Sequence, residues 1–461
     1  MKSLALLLGA LLCAGSTGAA DEIQTGGVKL IPITTPKGTF RVWTKKVGRS
    51  PRIKVLLLHG GPGATHEYFE AFESFLPAAG VEFYYYDQLG SAFSDQPDDP
   101  ALWQTGRFVE EVEQVRQALG LDKANFYLLG HSWGGILAIE YALQYQQNLK
   151  GLVISNMMAS IPAYNEYAAR VLMPAMDQAA LKEIQQLEKD SKYDDPRYME
   201  LLMPHHYEKH ILRRPAGQWP DPVNRAFARI NKKIYVPMQG PSELGASGTL
   251  EKWDRTADLG KITVPTLVIG AQHDTMDPAH MEKMAKQVRN GRYLYLPNGS
   301  HMAMYDDQQA YFEGLIRFLR EVDGATPGDF EAMLARVDAA QLELQNGRPE
   351  PFKALWSRTA DITLSGGLGG TIEKGWDAIG PRLDWVATQF ANGRTMRERI
   401  ASGASGDLGY LVQLEHIRFN VPGRTEESAK DYRVTMLFRR EADGWRMIHR
   451  QADSNLARQS P

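Results

Sequence analysis

The sequence predicts an α/β domain with a mostly parallel sheet and an inserted helical segment, followed by a separate α+β domain. Three observations support this prediction. Short β-rich runs alternate with helical stretches over about residues 28–156 and 266–322, a proline-rich helical segment interrupts them at about 160–255, and the pattern changes beyond residue 324. Alternation of this kind is typical of a parallel sheet covered by helices on both faces.

Length and composition limit the class of protein. The chain has 461 residues, of which 43% are hydrophobic and 23% charged, and its net charge is −3. This is enough apolar material for two or three folded domains and too much for a disordered chain. Because no long run of one charge sign is present, we expect neither a nucleic-acid partner nor a polybasic membrane contact.

The first 20 residues have the features of a signal peptide. Lys2 precedes the apolar run Leu4–Cys13, and small residues continue to Ala20, after which cleavage is expected. The run is too short to cross a bilayer, so no membrane span is expected, and an uncleaved anchor is the alternative interpretation. Cys13 is the only cysteine, so the mature chain would have no disulfide, thiolate metal site or cysteine nucleophile. We therefore expect a secreted or periplasmic protein.

The elements of the first domain follow in chain order. Predicted strands are Ile53–Leu58, Val81–Tyr86, Asn125–Leu129, Leu152–Ser155, Thr266–Gly270 and Arg292–Leu296, and predicted helices include Thr105–Leu119, Gly134–Tyr145 and one at about Asp307–Val322. The segment at about 160–255 carries nine prolines from Pro162 to Pro241 and is interpreted as a cap inserted between strands. The first domain is thus expected to span residues 28–322.

A linker at 323–328, containing the sequence GATPG, is expected to lead to a second domain at 329–456. Its predicted elements are a helix at Asp329–Leu344, a short helix at Phe352–Trp356, and strands at Asp361–Leu364, Gly409–Phe419, Tyr432–Phe438 and Trp445–Arg450. The pair Asp443–Gly444 predicts a hairpin turn between the last two strands.

The strongest chemical signal is the sequence GHSWGG at 130–135, directly after one predicted strand and before a helical stretch. A serine in the pattern G-x-S-x-G is presented on a tight strand-to-helix turn, which only small neighbours allow. The N-terminus of the following helix also favours negative charge at this point. Ser132 is therefore the predicted nucleophile.

A nucleophilic serine needs a base and an acid that orients the base, and both are expected after later strands. Asp274 follows the strand that ends near Ile269, and His301 follows the strand that ends at Leu296. We predict these two as acid and base. Asp277 and His273 are nearby competitors, interpreted respectively as a helix N-cap and a solvated loop residue.

A glycine-rich turn, HGGPG at 59–63, follows the first predicted strand of the alternating region. Such a turn can direct a backbone N–H at a developing oxyanion, and the residue after the nucleophile supplies a second N–H. Gly61 and Trp133 are the predicted oxyanion-hole donors, with a simple turn as the alternative interpretation of the glycines.

Taken together, the segments HGGPG (59–63), YYDQLGSAFSD (85–95), GHSWGG (130–135), GPSELGASGTLEKWD (240–254) and GAQHD (270–274) resemble the proline iminopeptidase family. The resemblance covers about residues 28–322 and implies an α/β-hydrolase fold with a helical cap and serine aminopeptidase activity. It also implies catalytic roles for Ser132, Asp274 and His301, and a glycine-rich turn at Gly60 and Gly61.

The family binds the free amino terminus of its substrate through glutamates near the cap, and this resemblance implies that role for Glu243. A solvent-exposed loop acid is the alternative interpretation. Many family members carry a second glutamate directly after the triad aspartate, where this chain has Thr275. The loss of one of two carboxylates is expected to weaken the amine anchor by about 1–3 kcal/mol, which favours the alternative of an amidase or esterase on amino-acid derivatives.

Other polar groups receive structural interpretations. His205, His206 and His210 lack an accompanying acidic ligand pattern and are expected to be surface histidines, so no metal or cofactor is predicted. Asp87 is expected to shape a loop through hydrogen bonds. The sequence SGGLGG at 365–370 lacks the Lys-Ser/Thr of a phosphate loop and is interpreted as a turn.

The second domain resembles the SnoaL-like, NTF2-like α+β cone through its helix–helix–strand order and residues such as Trp356, Asp361 and Gly444-Trp445. Domains of this kind include enzymes, ligand pockets and dimerisation modules, and we expect an accessory or homo-oligomerising role. Asp361, His416 and His449 are polar candidates for its cavity, although structural roles are favoured for each.

The main hypothesis is a serine hydrolase that releases an N-terminal residue, preferably proline, from short peptides. Its substrate would be a small peptide or an amino-acid amide. An amidase or esterase acting on amino-acid derivatives is the alternative enzyme. The non-enzyme alternative is a ligand- or partner-binding protein built on a hydrolase scaffold.

Overall fold

A computed structural model describes residues 26–324, 329–405, 407–441 and 444–454. The expected signal peptide lies outside the described residues, as do residues 325–328 of the expected linker and Asp443 of the expected hairpin turn. The described chain contains two sheets, one of eight strands before the linker and one of six strands after it.

The first sheet has the spatial order β1-β2-β4-β3-β5-β6-β7-β8. Its strands are β1 (Val28–Thr35), β2 (Gly38–Val47), β3 (Lys54–Leu58), β4 (Glu82–Asp87), β5 (Phe126–His131), β6 (Gly151–Ser155), β7 (Thr266–Ala271) and β8 (Gly291–Leu296). From β4 through β8 all neighbouring strands are parallel, so their carboxyl ends meet at one edge. This edge is where ligands bind in open α/β sheets.

The antiparallel hairpin of β1 and β2 extends the sheet and was not among the predicted strands. The sequence signal is weak because most of its side chains are polar or exposed, and only Ile31, Ile33, Val42 and Thr44 are buried. Pro32 is tolerated because β1 is an edge strand, where a missing N–H costs no ladder hydrogen bond.

Helices cover both faces of this sheet, as predicted. In chain order the helices of this part are α1 (Thr105–Ala118), α2 (Trp133–Tyr145), α3 (Ile161–Tyr167), α4 (Met173–Ala175), α5 (Gln178–Lys189), α6 (Pro196–Leu202), α7 (Glu208–His210), α8 (Asp221–Ala228), α9 (Lys232–Met238), α10 (Pro278–Gln287), α11 (Ala303–Asp306) and α12 (Gln308–Val322). Alternate residues of β3 enter two different cores: Leu56 and Leu58 pack with α1, α2 and α10, whereas Val55 and Leu57 pack with α12 and part of the cap. This alternation is expected of a strand with both faces buried.

The helices α3–α9 form the inserted cap between β6 and β7. The bridge between Ser160 and Asp254 closes the base of the insertion. Arg225 on α8 pairs with Glu67 and Glu70 of the 3₁₀ helix His66–Ser74, at 2.5 and 2.8 Å, which fastens the cap to the main body.

The second sheet has the order β10-β9-β14-β13-β12-β11 and packs against α13 (Asp329–Leu344), α14 (Glu350–Lys353) and α15 (Trp376–Ala387). Its strands are β9 (Thr363–Ser365), β10 (Glu373–Lys374), β11 (Ala391–Ser405), β12 (Leu408–Asn420), β13 (Glu427–Glu441) and β14 (Gly444–Ser454). The predicted helix at Asp329–Leu344 is present with the same bounds. The predicted helix at Phe352–Trp356 is wrong in its placement, because the helix lies earlier and Trp356 instead pairs with Met447 of β14.

Hydrogen bonds connect the domain of the eight-stranded sheet to the domain of the six-stranded sheet. The Arg52 guanidinium donates to the carbonyl oxygens of Asp323 and Glu441, at 2.7 and 3.1 Å, and so connects the first domain to the end of β13. In the part of the chain that the structure describes, no helix is both long enough and apolar enough to cross a membrane.

Candidate active site

Ser132 lies on the sharp turn between β5 and α2, at the carboxyl edge of the sheet. Its backbone has φ 56° and ψ −127°, a region that non-glycine residues rarely adopt. A hydrogen bond from the Ser132 N–H to the Ser155 carbonyl, 3.1 Å long, holds the turn against β6. A strained serine at this position is the geometry that presents a hydroxyl to a substrate.

The flanking glycines are required by close backbone packing. A Cβ on Gly130 would overlap the carbonyl of Gly134, and a Cβ on Gly134 would overlap the carbonyl of Leu58. The helix α2 therefore starts directly against strands β5 and β3. The physical basis of the G-x-S-x-G signal in this chain is thus steric.

Asp274 and His301 meet beside this turn. Asp274 follows β7 and His301 follows β8, and the distance from His301 Nδ1 to Asp274 Oδ1 is 2.7 Å. His301 and Ser132 line the same pocket. Within the described residues no hydrogen bond joins the Ser132 hydroxyl to the His301 ring, and catalytic contacts of this kind commonly tighten only when substrate binds.

Asn156, which the sequence analysis did not single out, holds the acid from the other side. Its Nδ2 donates to Asp274 Oδ2 at 2.8 Å and to the Ser300 carbonyl at 3.2 Å. The Met276 N–H donates to Asp274 Oδ1 at 3.1 Å. Asp274 is completely buried, and these donors fix its carboxylate in the orientation that the histidine requires.

Thr275 is fully buried and does not line the pocket. Its hydroxyl lies 3.3 Å from Asp274 Oδ1 and 3.4 Å from His301 Nδ1. The side chain at this position therefore contacts the acid and base and does not face a substrate amine.

The charges of the site set the protonation states. Burial alone would raise the pKa of Asp274, but His301 and the hydrogen bonds from Asn156 and Met276 outweigh burial and hold it below its usual value. Burial alone would lower the pKa of His301, but the Asp274 carboxylate, with Glu243 and Asp306, raises it above the ordinary value of 6.5. The pair is thus an ionised carboxylate beside a strengthened base.

The HGGPG turn lies directly against the nucleophile. A Cβ on Gly60 would come within 2.9 Å of the Ser132 Cβ, and the Gly60 N–H donates to the Tyr68 hydroxyl at 2.7 Å. Among the described residues, nothing accepts a hydrogen bond from the backbone N–H of Gly61 or of Trp133. These two predicted donors remain available to a developing oxyanion.

Gln88, just after β4, connects the two segments that carry these donors. Its side-chain amide donates to the His59 carbonyl at 3.0 Å and accepts from the Trp133 indole at 2.9 Å. The Gln88 N–H also donates to His59 Nε2 at 3.1 Å, which leaves the His59 proton on Nδ1. Gln88 belongs to the YYDQLG segment, but no spacing rule in the sequence shows that it connects these two segments by hydrogen bonds.

Glu243 lies in the same pocket as Ser132 and His301. The Tyr235 hydroxyl donates to Glu243 Oε1 at 2.6 Å, while Tyr164 donates to the Glu243 carbonyl at 2.6 Å and fixes its backbone. Burial raises the pKa of the Glu243 carboxyl, and His301 and Tyr235 partly offset the effect. A partly desolvated carboxylate of this kind is suited to pair with a protonated amine.

The rest of the pocket is small and mainly apolar. Its volume is about 40 Å³, and its apolar wall consists of Ala64, Ile211, Phe227, Ile230 and Met302. Several of these residues come from the cap, which therefore covers the nucleophile. The pocket can hold a compact apolar group between the serine and the glutamate.

One structural expectation for the cap histidines is wrong. His206 is completely buried, because its Nε2 bonds to the Glu243 carbonyl at 3.0 Å and the cap packs around its ring. His210 is partly buried, with Nδ1 3.0 Å from the His273 carbonyl. Among the residues that the structure describes, no group of three or more histidine, cysteine, aspartate or glutamate side chains is arranged to hold a metal ion.

The competing acid and the loop aspartate have the expected structural roles. Asp277 caps α10 by accepting from the Ala279 N–H at 2.9 Å. Asp87 accepts from the His66 backbone at 3.0 Å and from the Phe93 N–H at 3.3 Å, and so holds the loop after β4. His273 does not line the pocket around Ser132.

The three polar candidates of the second domain have local partners. Asp361 pairs with Arg439 at 2.7 Å, His416 with Asp431 at 2.9 Å, and His449 Nδ1 with the Thr363 hydroxyl at 2.8 Å. None of the three lines the cavity inside this domain.

Comparison with known families agrees with the two-part organisation. Residues 54–308 match the alpha/beta hydrolase fold family, and residues 350–453 match the SnoaL-like domain family.

Individual relatives match the first part alone. The proline iminopeptidase of Flavobacterium johnsoniae is 58% identical over 294 residues, which is 64% of this chain and 98% of the relative. The proline iminopeptidase of Elizabethkingia meningoseptica is 57% identical, over 64% of this chain and 98% of the relative. The crystal structure of the Mycobacterium smegmatis proline iminopeptidase aligns with a TM-score of 0.56 at 26% identity, over 65% of this chain and 99% of that one. The fold class inferred from the sequence is confirmed, and the chain belongs to the proline iminopeptidase family of α/β hydrolases, extended by a C-terminal SnoaL-like domain.

Proposed function

We propose that this protein is a serine aminopeptidase that releases an N-terminal residue, preferably proline, from short peptides. The observation that carries the proposal is the presence of the Glu243 carboxylate in the pocket lined by Ser132 and His301. A carboxylate there selects a substrate whose free amine lies next to the scissile carbonyl. Relatives that match nearly their whole length to the first domain are named proline iminopeptidases.

The reaction follows from the arrangement of the proposed triad. Ser132 Oγ attacks the substrate carbonyl while His301 Nε2 takes the hydroxyl proton, and Asp274 stabilises the imidazolium through the 2.7 Å contact to Nδ1. The Gly61 and Trp133 N–H groups stabilise the oxyanion. When the C–N bond breaks, His301 gives the proton to the leaving amine, and an acyl-enzyme remains.

A water molecule completes the cycle. His301 removes a proton from the water as it attacks the acyl-enzyme, and then returns that proton to Ser132 Oγ as the ester bond breaks. Because histidine activates the water, this route requires neither a metal nor a cofactor.

The pocket supports a preference for a compact apolar residue. The apolar wall, from Ala64 to Met302, faces the space between the nucleophile and Glu243, and the volume of about 40 Å³ suits a small ring better than a long side chain. The cap above the pocket restricts access to short peptides and amides.

The test is selectivity for a free amine. We expect prolyl-p-nitroanilide to be cleaved much faster than its N-acetylated counterpart, because acetylation removes the charge that Glu243 binds. Similar rates on both compounds, still dependent on Ser132, would identify an amidase or esterase on amino-acid derivatives. Failure of a fluorophosphonate to label Ser132 would favour a binding protein.

We also propose that the second domain associates with another copy of itself. Large apolar side chains are exposed on its sheet at Met396, Ile400, Leu408, Tyr410 and Leu437. An apolar patch of this kind commonly marks an interface. We expect a dimer in light scattering of the full chain and a monomer after Tyr410→Glu, and a monomeric wild-type protein at micromolar concentration would contradict the proposal.

A further inference from the structure

The interior of the SnoaL-like domain holds a cavity that the proposed peptidase chemistry does not use. It lies between α13, α15 and the sheet and has a volume of about 60 Å³, compared with about 40 Å³ for the pocket around Ser132. By the same measure it therefore has room for a molecule about as large as the residue that the active site is proposed to bind.

One side of this cavity is a fixed ionic network. Glu415 is completely buried, and its oxygens accept from Arg450 Nη2 at 3.0 Å, Gln341 Nε2 at 2.5 Å and Gln413 Nε2 at 2.8 Å. Arg450 is thus charge-balanced and held in one orientation. Arg382 lies 3.7 Å from Glu373 and is balanced in a similar way.

Two hydrogen-bond donors of the cavity wall nevertheless lack partners. Among the described residues, no acceptor lies within hydrogen-bond distance of the Tyr432 hydroxyl or Arg450 Nε, and both atoms are shielded from solvent. Gln341 Oε1 on the same wall also has no hydrogen-bond partner among the described residues. Burial raises the pKa of Tyr432 to about 12, so its hydroxyl keeps its proton at neutral pH. Native proteins leave few buried polar atoms unpaired, and an unpaired set on one cavity points to a ligand.

The opposite wall is apolar and closely built. Leu344, Leu383, Val386 and Phe390 line it. The glycine-rich turn after β9 closes one side, where a Cβ on Gly367 would come within 2.6 Å of the Tyr432 ring. The turn predicted from SGGLGG therefore lets the chain lie directly on this tyrosine.

We propose that this cavity binds a small monocarboxylate with a compact, branched apolar body. The carboxylate oxygens accept from the Tyr432 hydroxyl and Arg450 Nε, and the body packs against the apolar wall. A monoanion fits better than a phosphate or sulfate dianion, since each arginine already has a glutamate beside it. The site is independent of Ser132 and of the proposed peptidase reaction.

The experiment is calorimetric titration of the full chain with isovalerate, compared with isovaleramide, which has the same shape and no charge. We expect saturable binding of isovalerate and at least about tenfold weaker binding of the amide, as for loss of one hydrogen bond to a charged group. Tyr432→Phe removes only the hydroxyl. We expect it to weaken the binding of isovalerate by about tenfold and to leave peptidase activity unchanged. Tyr295→Phe, which removes an exposed hydroxyl from β8 of the other domain, is the matched control and should bind normally.

A second variant keeps the test decisive if Tyr432→Phe is unstable. Val386→Met places a larger apolar side chain in the cavity wall and should abolish isovalerate binding in a folded protein. Absence of saturable isovalerate binding to the wild type, equal affinity for the acid and the amide, or full binding by Val386→Met would each overturn the proposal.

Discussion

Replacing Ser132 with alanine is expected to lower kcat for prolyl-p-nitroanilide by about 10⁴- to 10⁶-fold. The substitution removes the atom that forms the acyl-enzyme, whereas the Gly61 and Trp133 donors and Glu243 remain to bind substrate. KM should therefore change much less than kcat. The fold should persist, because the substitution leaves the close packing at Gly130 and Gly134 unchanged and, among the described residues, the Ser132 hydroxyl makes no hydrogen bond that alanine would remove.

Labelling gives the companion measurement. A fluorophosphonate should modify wild-type protein at one serine and leave Ser132→Ala unmodified, while Ser402→Ala on β11 serves as a control that should be labelled and active. Retention of more than about one per cent of wild-type kcat by a contamination-free Ser132→Ala sample would contradict the nucleophile assignment.

Asp274→Asn is expected to cost about 10⁴-fold in kcat/KM. The carboxylate accepts from Asn156, Met276 and His301, and an amide in its place would direct N–H groups at some of these donors. The histidine would lose both its orientation and the charge that stabilises its protonated form. Asp277→Asn, which changes only the N-cap of α10, is the matched control and should keep nearly full activity.

The pKa of His301 determines the pH at which activity falls, in the wild type and in Asp274→Asn. His301 acts as a base only when neutral, and its pKa lies above 6.5 in the wild type, so activity should fall as pH decreases through that raised value. Removal of the Asp274 charge lowers the pKa of His301, and the midpoint of the residual activity should move to lower pH. An unchanged midpoint in Asp274→Asn would show that another acid sets the pKa of the base.

The main catalytic candidates could be predicted because each has a sequence signal with a mechanical cause. Ser132 is flanked by glycines that the packing of α2 requires, and Asp274 and His301 follow strands that end at the same edge of the sheet. Their supporting residues carry no such signal. Asn156 and Gln88 are ordinary polar residues whose roles depend on contacts with segments more than 25 residues away in sequence.

Errors in the sequence analysis arose where tertiary contacts outweigh composition. His206 belongs to a polar histidine cluster in the sequence, but its bond to the Glu243 carbonyl brings it into the core of the cap. Strand β11 and helix α15 were not predicted; β11 is rich in arginine and small residues, and α15 contains Pro381. This strand forms because its backbone pairs with β12 along most of its length, and it shows no hydrophobic alternation that would have predicted it.

The structure also changes the interpretation of Thr275. The sequence alone indicates a missing amine ligand at this position, but the buried hydroxyl lies beside Asp274 and His301. In the proposed function, recognition of the amine therefore depends on Glu243, whose carboxylate is oriented by the 2.6 Å hydrogen bond from Tyr235.

The most direct test of this account is the ratio of kcat/KM for prolyl-p-nitroanilide to that for N-acetylprolyl-p-nitroanilide, measured in the wild type and in Glu243→Gln. The glutamine keeps the size and the hydrogen bond to Tyr235 but removes the charge, so we expect it to lower the rate on the free amine by about 10- to 100-fold. The rate on the acetylated compound should change little, and the ratio should collapse. A ratio that is large and equal in both proteins would contradict Glu243 as the amine anchor, and a ratio near one in the wild type would contradict the aminopeptidase itself.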